Sequence, residues 1–180
     1  MAILDVMMPK VHGIQVAHQI RQRHPETAIV VISAYEDLSF VADLMRNGVG
    51  RKAYLLKHSI SDIAGLVRVV ETVYGGHTVL DSGISQRMAR LFCKYSGALG
   101  TELSGTEQDV LVLVADGYDD DLICETLRLG QTQIEEHSAS MYAKFGISGG
   151  SPSEQSIAVV QAFVEQIHKI PLSKAYDAVG

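Results

Sequence analysis

Short apolar runs alternate with amphipathic stretches through residues 1–80. Residues 2–6, 28–33 and 53–56 are rich in Ile, Val and Leu, the composition of strands buried on both faces of a parallel sheet. Between them, residues 11–23 and 38–47 repeat apolar side chains three and four positions apart, as Ile14, Ala17 and Ile20 do, which predicts helices. A further helix is expected over 62–74, closed by Gly75-Gly76, a common helix-end signal. This alternation with short links means βαβ units and an open, doubly wound parallel sheet, here with only three strands and entered in mid-strand.

The remainder reads as all-α. Residues 107–115 place Val110, Leu111 and Val114 on one face before Gly117. A short helix over 119–127 opens on acids, where the helix dipole favours them. Gly130 then precedes a helix over 131–145 with Ile134, Met141 and Phe145 on one stripe, closed by Gly146. Helix, short turn and helix make a helix-turn-helix outline. A last helix is expected over 153–168, with Ile157, Val160 and Val164 inward. The division expected is an α/β unit over 1–80, a linker helix and loop over 81–100, a helical domain over 101–168 and a tail over 169–180. The joint is placed near 95–101, where Ser96, Gly97 and Gly100 loosen the chain.

Composition narrows the classes. With 47% hydrophobic and 20% charged residues among 180, disorder throughout is excluded. No apolar run approaches the ~20 residues of a membrane helix, and no signal peptide is visible. Cys93 and Cys124 make neither a disulfide framework nor a metal cluster; they are expected in the core of a cytoplasmic protein. The net charge of −6 argues at first against nucleic acid. Its distribution changes that picture: residues 1–80 are near neutral, whereas 101–147 hold ten acids against Arg128 and Lys144. The run Asp119-Asp120-Asp121 reads as a solvated helix start rather than a metal site, and the seven His lack ligand spacing.

The chemistry gathers at strand ends. Asp5 closes the first apolar run and is followed by Met8, Pro9 and Gly13; Ser33 closes the next, and Lys57 the third, three residues after Tyr54. Asp5 alone could equally be a helix cap. An Asp, a hydroxyl and a Lys at one edge of consecutive parallel strands, however, converge where such sheets place their ligands. There the carboxylate can act as a nucleophile toward phosphorus while hydroxyl and ammonium hold phosphoryl oxygens.

The block DVMMPKVHG, the strand-end Ser-Ala and YLLK resemble the receiver domain of two-component response regulators. Leu103-Ser104, Glu107, Val110-Leu111, Ala115, Gly117, Ile123, Leu127, Ile134 and His137 are similar to the LuxR-type, or NarL-type, helix-turn-helix. The resemblance implies a flavodoxin-like receiver, truncated at its amino terminus, joined to a DNA-binding domain. It implies Asp5 as phosphoacceptor, Ser33 as switch hydroxyl, Tyr54 as switch aromatic and Lys57 as the pocket lysine. Mg²⁺ is the implied cofactor, held here by Asp5 and the Met7 carbonyl alone, since the family's acidic pair would precede Met1. The implied partners are a sensor histidine kinase, DNA and a second copy of the chain in a homodimer; no membrane is involved, and the protein is a regulator rather than an enzyme. Contacts to DNA fall on Thr132, Gln133, Glu136, Ser140 and Lys144. Two departures stand out: residues 47–52 form a loop about two residues longer than the family's, and Glu135-Glu136 place carboxylates on the recognition helix. A rival reading follows from the second: a degenerate or phosphorylation-independent regulator whose acidic helical domain binds protein rather than DNA.

Overall fold

The computed structural model describes residues 1–99 and 102–169, with the side chains of 96–99, 168 and 169 left aside; the expected tail lies outside this range from residue 170 on. The chain divides into two units, Met1–Ile84 and Ser85–Gly180.

In the first unit, strands β1 (Ala2–Asp5), β4 (Ile29–Ser33), β5 (Lys52–Leu56) and β6 (Thr78–Leu80) form a parallel sheet in that spatial order. A two-residue antiparallel ribbon, β2 (Met7–Met8) and β3 (Val11–His12), follows β1. Helices α1 (Gly13–Arg23), α2 (Leu38–Met45) and α3 (Ile63–Tyr74) supply the crossovers. Val30, Ala53, Leu55, Val73 and Val79 pack into one cluster under Leu66 and Val69 of α3. Ile14, Ala17, Val41, Leu44 and Met45 are likewise buried on α1 and α2. Lys52 is buried as well; its ammonium donates to the Leu44 carbonyl at 2.7 Å.

Four expectations are corrected. The sheet has a fourth strand, β6, so β5 is not the last. Lys57 lies just beyond β5, in a 3-10 turn (Lys57–Ser59). Helix α1 starts at Gly13 rather than Val11, because residues 11 and 12 pair with the ribbon. Cys93 and Cys124 are half-buried rather than core residues; burial nevertheless pushes the Cys93 thiol up.

Helix α4 (Ser82–Leu99) follows β6 directly, and its backbone stays helical through Ser96 and Gly97, where the joint was expected. A glycine inside a helix costs only about 1 kcal/mol and does not forbid it. The second unit continues with α5 (Gly105–Ala115), α6 (Asp120–Leu127), α7 (Gln131–Lys144) and α8 (Pro152–Lys169). Ser104 and Glu107 cap α5 reciprocally, and Asp119 caps α6 through the Leu122 N–H. Val110, Leu111, Ile123, Ile134, Met141, Val160 and Phe163 are buried. The Phe92 ring lies 5.6 Å from Phe145 and 5.9 Å from Phe163.

Candidate functional site

The registers Asp5↔Ile32 and Ser33↔Leu56 bring the carboxyl ends of β1, β4 and β5 level. Asp5 and Lys57 meet there: the ammonium donates to Asp5 Oδ2 at 2.5 Å, while the Met7 N–H donates to Oδ1 at 2.9 Å. Lys57 first and the Met7 amide second hold the Asp5 carboxyl below the usual carboxylate range. Both side chains remain open to solvent, at 36% for Asp5 and 51% for Lys57. An ionised, accessible carboxylate beside an ammonium can attack an electrophile and keep the incoming anion's charge matched.

Gly13 makes this corner possible. Its amide donates to the Val6 carbonyl at 2.9 Å, and a Cβ there would stand 2.0 Å from the Asp5 carbonyl oxygen. No side chain larger than hydrogen fits without moving the strand that carries Asp5.

Ser33 and Tyr54 lie beside this pair as a second couple. Both are fully buried, and both reach the Tyr35 carbonyl, from Ser33 Oγ at 3.2 Å and from the Tyr54 hydroxyl at 2.9 Å. Ser33 Oγ also accepts from the Tyr35 N–H at 3.0 Å. Burial pushes the Tyr54 phenol up to about 12, against the opposing hydrogen bond from Ser33. The backbone of Tyr35 is thus a shared partner that strand-end reasoning did not single out; a lone loop carbonyl leaves no mark in side-chain pattern.

Of the two ligands expected for Mg²⁺, the Asp5 carboxylate and the Met7 carbonyl, Asp5 is the one acidic side chain of the four-residue site. Each Asp5 carboxylate oxygen accepts one hydrogen bond and keeps a further lone pair, and among the described residues no three His, Cys, Asp or Glu side chains are grouped to hold a metal ion. A shallow cavity of about 290 Å³ lies elsewhere in the unit, lined by Leu55, Ser61, Asp62, Arg68 and Asp81 among others, and none of the four site residues borders it.

Helix α7 carries the second set. Thr132, Gln133, Glu135 and Glu136 are exposed at its start, although Gln133 Oε1 also accepts from the Gly130 N–H at 3.1 Å. Ser140 and Lys144 turn to Glu107 of α5 instead: Ser140 Oγ donates to Oε1 at 2.6 Å, and the Lys144 ammonium donates to Oε2 at 2.6 Å and Oε1 at 2.9 Å. Burial acts to raise the Glu107 pKa, but Lys144, Ser140 and the Ser104 N–H outweigh it and hold the carboxyl down at about 2. The Ser-x-x-Glu spacing of Ser104 and Glu107 announces the cap; nothing in sequence announces the pairing with Lys144, 37 residues away.

Residues 1–70 match the family of response regulator receiver domains. The chain is similar to the transcriptional regulatory protein DegU of Brevibacillus brevis, 24% identical over 163 residues, which span 81% of this chain and 67% of DegU. It is also similar to the oxygen regulatory protein NreC of Staphylococcus haemolyticus, 29% identical over 153 residues, spanning 81% of this chain and 69% of NreC. Among solved structures, that of the RcsB response regulator of Salmonella typhimurium aligns with 93% of this chain and 74% of its own, at 20% identity and a TM-score of 0.39.

Proposed function

We propose that the chain is a response regulator, on the match of residues 1–70 to the receiver family, that Asp5 accepts a phosphoryl group, and that the helical unit carries the output to DNA. The observation that carries this reading is the Asp5–Lys57 pair at the carboxyl edge of the parallel sheet. A sensor histidine kinase would present a phosphohistidine. With the other ring nitrogen of that histidine protonated, its P–N bond breaks as an Asp5 carboxylate oxygen forms a P–O bond, giving an acyl phosphate and a neutral imidazole. Lys57 then exchanges the carboxylate for phosphoryl oxygens, while Ser33 and Tyr54 leave the Tyr35 carbonyl to follow the new charge. The resulting population shift favours a homodimer that presents two helix-turn-helix units. Thr132, Gln133 and Glu136 are the residues of α7 placed to reach base edges, with Ser140 and Lys144 supporting them from the Glu107 contact.

Incubating the chain with a small phosphodonor and Mg²⁺ should add one phosphoryl mass, absent in Asp5→Asn. No gain in the unaltered chain would sink the reading.

A second reading is favoured by the Glu107 contact, which engages the one cation of α7 and leaves Glu135 and Glu136 on its outer face. In it, the helical unit binds a protein. A salt titration of DNA binding separates the two: DNA recognition loses affinity steeply with salt, whereas the rival shows none even at low salt.

A further inference from the structure

Asp81 follows β6 and precedes α4, and it is buried, with 5% exposure. Its own N–H donates to the Tyr54 carbonyl at 2.8 Å, continuing the β5–β6 ladder one residue past the strand. Its carboxylate then takes over from the backbone. Oδ2 accepts from the Leu56 N–H at 3.1 Å, and Oδ1 accepts from the Gly83 N–H, also at 3.1 Å, in the first turn of α4. One side chain therefore holds the end of the strand that carries Tyr54 and delivers Lys57, and also the start of the helix that leads onward. Hydrogen bonds from two backbone amides to one buried carboxylate are charge-assisted and directional, which ties the end of β5 to the first turn of α4 through a single side chain.

We propose that Asp81 is a positioning residue that couples the Asp5–Lys57 pair to the first turn of α4, so that a change of partner at Lys57 is read out as a change in the helix. The proposal rests on the phosphoacceptor reading for its biological use but not for its test.

Hydrogen–deuterium exchange of a peptide spanning residues 82–88 in the full chain reads the coupling. Lys57→Ala should speed exchange there about fivefold, and the same change in an Asp81→Ala background should add less than twofold. Equal effects in both backgrounds would overturn the proposal. Asp81→Asn, which keeps the size and one acceptor oxygen, guards against loss of folding. Its Lys57→Ala effect should fall between the two; an undiminished effect would also overturn the proposal. With a small phosphodonor, the unaltered chain should gain the phosphoryl mass and shift its 82–88 exchange, whereas Asp81→Asn should gain the mass with a smaller shift. An undiminished shift in Asp81→Asn counts against the coupling. Failure of the unaltered chain to gain the mass counts against the phosphoacceptor reading alone, and the Lys57→Ala comparison then decides the coupling.

Discussion

Glu107 and Lys52 show how far the folded surroundings move a charge: bonded partners outweigh burial at Glu107, whereas burial dominates at Lys52. Glu107 sits at about 2, below its ordinary 4.5, so its contribution is fully present above pH 4.5 and is lost as pH falls toward 2. Since Lys144 is 37% exposed and partly screened, the contribution is discounted to about 2 kcal/mol. Glu107→Gln should therefore lower the unfolding free energy of the helical unit by about that amount at pH 7. It should also flatten its acid dependence between pH 4.5 and 2, as followed by denaturant titration. Lys52 behaves oppositely. Burial first, and Arg21 second, lower its pKa from 10.5 to about 8. The unfolded chain then binds more protons between those values, and stability rises with pH across that window. Tyr54, held at about 12 against an ordinary 10.0, reverses the trend above pH 10. The melting midpoint should thus climb from pH 8 to 10, and the climb should vanish in Lys52→Met. Neither environment is legible from sequence: Lys52 reads as the last residue of the loop over 47–52, and Glu107 as one position of the helix-turn-helix resemblance.

At the scale of elements, periodicity located every helix of the first unit within two residues, because each buries one apolar stripe. It missed β6, whose three residues follow two glycines and are shorter than a periodic signal needs. It also misplaced the start of α1, because the ribbon pairing of residues 11 and 12 depends on partners at 7 and 8 and not on local preference. The strand-end chemistry was legible for the opposite reason: parallel strands with level carboxyl ends put terminal residues together whatever the loops do. Gly13 is the element-scale test. Gly13→Ala should cost at least about 2 kcal/mol, since the clash is with backbone rather than with a flexible side chain. The same variant should accept phosphoryl far more slowly if the strand yields, as intact mass against time would record.

For the whole molecule, the two units differ in what sequence revealed. The charge imbalance separated a near-neutral part from an acidic one, yet only the folded helical unit shows that Lys144 is engaged internally. Charge counting by segment therefore overstates the cations available to DNA. Replacing Glu135 and Glu136 by Lys changes the face by four charges at exposed positions. The double variant should melt within about 0.5 kcal/mol of the unaltered chain and bind duplex DNA at low salt at least tenfold more tightly, with a steeper salt slope.

Helix α7 thus keeps its anchors and its outward residues in largely separate sets: Ile134, Ser138 and Met141 are buried, Ser140 and Lys144 hold Glu107, and Thr132, Glu135 and Glu136 face out. Such a partition makes the helix evolvable. Mutational drift can rewrite what it recognises, from a polyanion to a basic surface and back, while the sequence that folds it stays under unchanged selection.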